Sequence, residues 1–97
     1  MPTKKDYKDF VLEQLSILDN ITCKPMFGEY LLYYNGLLFG GIYDDRLLLK
    51  IVETNKQYHM IETIPYTGAK PMYFVDELDN PESLKDIIIN TCNGLKK

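Results

Sequence analysis

The chain has one histidine, His59, with Glu62 three residues on. At that spacing a helix turns both side chains to one side. Such a pair can move a proton, but acid–base catalysis needs a reacting group within hydrogen-bond reach. No nucleophile or metal set stands near it, and His59 reads as a structural or surface residue. Asp44-Asp45-Arg46 is a charged triplet between two apolar runs. Aspartate tolerates turn backbone, so the triplet reads as a hairpin tip rather than a site. Asp76, Glu77, Asp79 and Glu82 are acidic enough to gather a cation. They lack the spacing of a calcium loop and read as a solvated acidic loop. Cys23 and Cys92 stand far apart, without CxxC or Cys/His spacing, and read as reduced structural thiols. No phosphate-cradling glycine motif is present, and Ser16 and Ser83 fall inside helical stretches with no base in view. No catalytic, cofactor-binding or metal-ligating residue is expected, and no enzymatic activity.

Aromatic chemistry is more prominent. Tyr30, Tyr33, Tyr34, Phe39 and Tyr43 crowd fourteen positions. A stacking platform for single-stranded nucleic acid would interleave such rings with cations. Only Arg46 and Lys50 lie in this part of the chain. Tyrosine is enriched at protein interfaces, so these five residues are the candidate partner-binding set. The net charge of −3 points away from a dedicated nucleic-acid binder, and no specific DNA binding is expected of the chain alone. At 45% hydrophobic and 26% charged, the sequence has the composition of a folded domain, expected as one unit over residues 1–97. With no apolar signal-like start and no run of membrane-spanning length, a cytoplasmic protein is expected.

The elements that must position these residues follow from periodicity. Tyr7, Val11, Leu15 and Leu18 form one stripe of a helix over residues 4–18, with Thr3 and Asp6 approximating a capping box. Residues 24–52 read as a β-meander. Asn35-Gly36 is its strongest hairpin signal, and Asp44-Asp45 makes a second break. Period two puts Leu37, Phe39 and Tyr43 on one side of the middle strand and Leu38 and Ile42 on the other. Gly40-Gly41 in mid-strand marks a bulge or a close backbone approach. A short helix over residues 55–62, capped by Thr54 with Tyr58 and Ile61 inward, is expected before Pro65. Residues 66–70 are turn-like, and residues 72–75 read as a strand. Asn80 and Pro81 open a last helix whose stripe is Leu84, Ile87, Ile88, Thr91, Cys92 and Leu95, with Gly94 near its stop. The fold class is therefore α+β: an antiparallel sheet, a meander plus one or two strands, packed by the N- and C-terminal helices. Leu15, Phe39, Leu49, Ile88 and Cys92 should share its core.

Lys24-Pro25-Met26-Phe27-Gly28, Tyr33-Tyr34-Asn35-Gly36, Phe39-Gly40 and Asp45-Arg46-Leu47-Leu48-Leu49-Lys50, in that order, resemble the TfoX/Sxy N-terminal domain family. Pro65-Tyr66, Met72-Tyr73-Phe74-Val75 and Asn80-Pro81-Glu82-Ser83-Leu84 match in kind and spacing. One departure is Glu29, where the family's motif has glycine. The resemblance implies a fold like that of type III secretion chaperones. It also implies a role like that of the family's larger members, regulators of DNA-uptake competence that carry a second domain. It brings no catalytic residues.

The expected function is thus a small cytoplasmic regulatory or protein-interaction module. A direct nucleic-acid binder is the alternative, and a small enzyme with an unrecognised site the second. Both faces of the middle strands are apolar, so a homodimer through the sheet is expected, with Tyr33 and Leu48 on opposite faces. The short helix folding across the second face is the monomeric option.

Overall fold

The computed structural model describes residues 3–96. Helix α1 (Lys5–Gln14) ends in a tighter turn, Leu15–Ile17. Four strands follow as a meander: β1 (Ile21–Met26), β2 (Glu29–Tyr34), β3 (Leu37–Ile42) and β4 (Leu47–Leu49). A 3-10 turn (Glu53–Tyr58) leads to β5 (Ile61–Thr63), then β6 (Met72–Val75) and α2 (Pro81–Leu95). The sheet is antiparallel throughout, in the order β1-β2-β3-β4-β6-β5. The α+β arrangement read from the sequence is the one observed.

Three hairpins of the meander close through two residues with left-handed backbone. They are Phe27-Gly28 (φ 50° and 84°), Asn35-Gly36 (52° and 80°) and Asp44-Asp45 (52° and 55°). Two-residue left-handed turns match the twist of the strands they join, which keeps the meander tight. Asn-Gly and Asp-Asp suit that backbone chemically; Phe27 does not.

Strand β1 is a full edge strand, paired to β2 along its whole length. Met26 and Glu29 flank a two-residue turn, and Asn35 N–H donates to the Asn20 carbonyl at 3.1 Å. Alternation then turns the backbone groups of Ile21, Cys23 and Pro25 toward the open edge. Pro25 has no N–H to offer there, which blunts the edge against another strand.

Between Leu32 and Tyr33 the β2–β3 register slips, leaving Phe39 as the extra residue of a bulge. Phe39 and Ile42 therefore both reach the core, although strict alternation separates them. A Cβ on Gly40 would strike the Leu48 carbonyl oxygen, and one on Gly41 would lie 2.8 Å from Tyr43 Cε2. Gly40-Gly41 is both bulge and close approach.

The core lies between the sheet and the two helices. Val11, Leu15 and Leu18 meet Leu32, Phe39, Ile42, Leu47 and Leu49, under Leu84, Ile88 and Cys92. Asn80 accepts the Ser83 N–H at 3.2 Å and Pro81 is the first helical residue, as the sequence indicates.

Four local expectations are corrected. Thr3 does not cap α1: Lys4 is the N-cap without a side-chain bond, and Thr3 Oγ1 donates to Glu29 Oε1 at 2.7 Å. The short helix is a 3-10 turn ending at Tyr58, and Ile61 lies exposed on β5. Thr54 is not its cap; Asn55 Oδ1 accepts the Val52 N–H at 3.1 Å instead. Gly94 sits inside α2, where a Cβ would lie 2.9 Å from Val52 Cβ, so it permits packing rather than ending the helix.

Ile88 has no exposed surface. Ile88→Ala should cost about 2–5 kcal/mol, the range for buried large-to-small changes. Chemical denaturation checks it, and a loss near a surface value, under about 1 kcal/mol, would contradict the packing.

Candidate functional site: the groove on the outer sheet face

The helices cover one face of the sheet. Lys24, Leu31, Tyr33, Leu38, Gly41, Leu48 and Lys50 alternate onto the other, by register with the core-facing residues. Leu48 pairs with Gly41 and Gly41 with Leu31, so Tyr33 and Leu48 share this outer face rather than opposing each other. Leu48 is nonetheless fully buried. The cover is not the 3-10 turn, which packs on α2: the buried Asn55 Nδ2 donates to Thr91 Oγ1 at 2.9 Å and to the Lys50 carbonyl at 2.8 Å.

The segment of residues 64–71 is the cover. Arg46 alternates onto the outer face and holds it. Its Nη1 donates to Thr63 Oγ1 at 3.0 Å and Nη2 to the Pro65 carbonyl at 3.4 Å, while Nε donates to the Tyr43 carbonyl at 3.2 Å. The Tyr66 ring lies 6.2 Å from that of Tyr43, tilted by 48°. Gly68, at φ 87°, and the Ala69 N–H bonded to the Tyr66 carbonyl turn the segment back toward β6.

Segment and sheet do not meet along their whole length. A groove of about 670 Å³ remains, with Leu31, Leu38, Ile51 and Met72 as apolar lining and Tyr43 and Tyr66 as aromatic lining. Lys50 and Lys70 line it as well, with Glu62. Among the described residues neither lysine has a carboxylate partner. Farther along the face, Lys24 Nζ stands 4.9 Å from the centre of the Tyr33 ring. A concave, mostly apolar cleft with a few polar groups is the usual form of a binding site. No group of three or more potential metal ligands exists among the described residues, and His59 is exposed beyond the groove.

The five aromatic candidates divide between the faces. Tyr33 lies on the outer face and Tyr43 lines the groove. Tyr30 and Tyr34 pack at the margin of the core, and Phe39 has no accessible surface. The bulge is the reason for the split between Phe39 and Tyr43: strict alternation keeps them on one face, and the slip sends Tyr43 to the other. Burial raises the Tyr43 phenol pKa above the ordinary 10.0, with Tyr66 and Glu29 adding to it. Tyr7 is likewise raised by burial. The thiols of Cys23 and Cys92 are raised by burial above 9.0, and both cysteines are free.

Three features have no counterpart in the sequence reading: Arg46 as a clasp, the 64–71 segment as a cover, and the exposed ring of Phe27. Pro65 and Pro71 around Gly68 are the available signal for a rigid, non-strand cover. Met-Phe-Gly is the signal for Phe27, since phenylalanine is a poor turn residue.

The chain matches the model of the TfoX N-terminal domain over residues 13–91. It belongs to that family. It is also similar to a protein of Spirochaeta aurantia described as "uncharacterized 12.7 kDa protein in trpE 5′ region". The two are 32% identical over 98 residues, spanning 98% of this chain and 85% of the relative. No solved structure matches the chain. The matched stretch of the TfoX N-terminal domain contains the whole sheet and every residue lining the groove. It is a family of small regulatory-type modules, not an enzyme family. The family's glycine position, here Glu29, has a specific task in this member. Glu29 Oε1 accepts the Thr3 N–H at 2.8 Å and Oε2 accepts the Asp44 N–H at 3.1 Å, tying two hairpin tips to the N-terminal segment.

Arg46→Ala should release the cover without unfolding the core. Hydrogen exchange at residues 64–70 should accelerate while α2 keeps its protection; equal acceleration in both would show that Arg46 supports the fold as a whole. Stability should also fall under alkaline conditions. The two thiols and two phenols hold their protons in the folded chain past 9.0 and 10.0, where the unfolded chain releases them. The folded state therefore binds more protons in that window, and stability drops as pH rises through it. Tyr43→Phe should shallow the part of the drop above 10, as read by denaturation at stepped pH.

Proposed function

We propose that this TfoX N-terminal domain is a small cytoplasmic regulatory module that works by binding protein on the outer face of its sheet. The observation that carries the reading is the groove between the sheet and residues 64–71, with apolar lining beside two unpaired lysines. The edges are poorer candidates: Pro25 blunts β1, and β5 has only three residues. Of the aromatic set, Tyr33 and Tyr43 are the ones that would touch such a partner, which their outer-face positions support. Family membership supports a regulatory role, of the kind the larger members exert on transcription for DNA-uptake competence. No helix among the described residues is long and apolar enough to cross a membrane, and membrane attachment forms no part of the reading.

A nucleic-acid reading has one observation in its favour, the approach of Lys24 to the Tyr33 ring on the same face as Lys50. The net charge of −3 weighs against it. Titration with duplex and single-stranded DNA at about 150 mM salt, near physiological ionic strength, separates the two. Weak binding that disappears with salt and ignores sequence is expected. Tight, sequence-selective binding would replace the protein-partner reading. In the positive arm, affinity capture from the native extract, with and without nuclease, should recover a nuclease-resistant partner. Leu38→Glu, which places a charge in the groove, should lose it; a partner unaffected by Leu38→Glu would move the interface elsewhere.

A further inference from the structure

Phe27 is 99% exposed, the most exposed of the large hydrophobic residues, and its backbone is left-handed at φ 50°. Each property is unfavourable for phenylalanine. An apolar ring in water forgoes its burial, and a side chain with a Cβ is strained in that backbone region. Its position is not loose. Gly28 accepts the Thr3 N–H at 3.0 Å, and Glu29 binds Thr3 and the Asp44 N–H, so the ring projects from a fixed tip. Asp44 and Asp45 are tied to the same end of the molecule through these bonds.

The molecule also carries the complementary feature. The outer-face groove is largely apolar, large enough for a phenyl ring, and edged by Lys50 and Lys70, neither paired with a carboxylate, and by the single acid Glu62. Phe27 is not among the residues lining the groove, and within the chain its ring stays in water. We propose that the occupant of the groove is a second copy of this chain, with Phe27 of each copy seated in the groove of the other. The aspartates beside one copy's tip then face the lysines of the other's groove. A reciprocal exchange of this kind closes on itself about a two-fold axis, as the commonest assemblies do. This inference rests on the outer face being the binding surface and adds what binds there and by which anchor.

The deciding variant is Phe27→Asn. Asparagine suits left-handed turn backbone, so the fold should melt at the same temperature or higher. Light scattering during gel filtration, over rising protein concentration, should show the wild-type chain reaching a dimer mass and Phe27→Asn remaining a monomer. Leu38→Glu should also be monomeric, with an intact Phe27 and a spoiled groove. Mixing the two variants restores one intact anchor-and-groove contact, and a mixed dimer should appear. A wild-type monomer at the highest concentration, or a dimer indifferent to both substitutions, would overturn the proposal. A monomer that still holds a foreign protein partner in a Leu38-dependent way would overturn the second-copy assignment while leaving the outer-face reading intact. A dimer lost with Phe27→Asn but untouched by Leu38→Glu would seat the ring outside the groove and overturn the proposal, leaving the outer-face reading to the partner-capture test.

Discussion

The bulge at Phe39, made possible by Gly40 and Gly41, is the constraint on which the two faces of this sheet depend. One extra residue in β3 shifts the alternation, so Phe39 and Ile42 both enter the core while Leu38 and Tyr43 are left to the other side. Without it, residues beyond the slip would exchange faces, because side chains alternate with period two. The glycines let the neighbouring chain approach. Any side chain at Gly40 meets the Leu48 carbonyl, and any at Gly41 meets Tyr43 and Tyr30.

The groove exists because the connection after β4 is divided between the faces. Its first half, the 3-10 turn, is pinned to the helix side by Asn55, which is fully buried and bonded to Lys50, Val52 and Thr91. A buried amide of this kind stays favourable only when its polar atoms are paired, as they are here. Its second half, residues 64–71, crosses to the outer face after β5 and is held by Arg46. The core side thus gains a polar hub that fixes where the chain crosses. The outer side gains a cover fastened by one side chain at half-buried positions. Local opening should concentrate in the second, where few buried contacts oppose it.

The element order, the antiparallel class and the α2 start were legible because each rests on local signals: period, a capping asparagine, an Asn-Gly turn. The core members Leu15, Phe39, Leu49, Ile88 and Cys92 were legible for the same reason. Faces were not, because a bulge is a register event between two strands and leaves only a Gly-Gly hint in one of them. Ile42 and Tyr43 changed sides on that account. The sequence suggests a helix over residues 55–62 because Tyr58 and Ile61 fit its period, while β6 supplies the pairing that draws Ile61 into a strand. Arg46 was legible as turn chemistry and nothing more, since its partners Thr63 and Pro65 lie 17 and 19 residues away. Long-range polar contacts have no local signature.

The three turns of the meander bear on function as well as fold. All three demand left-handed backbone at the first turn position. Asn35 and Asp44 satisfy it with side chains that tolerate that region. Phe27 meets the same demand with a residue that costs roughly 1–2 kcal/mol more in such backbone. It recovers none of that by burial within the chain, being almost fully exposed. The neighbouring bonds from Thr3 and Glu29 hold the conformation against that cost. Stability alone would favour asparagine or glycine at position 27. A residue that lowers the stability of the free chain and is held rigidly in water is explained by a state in which the ring is covered, and the chain's own contacts do not supply it.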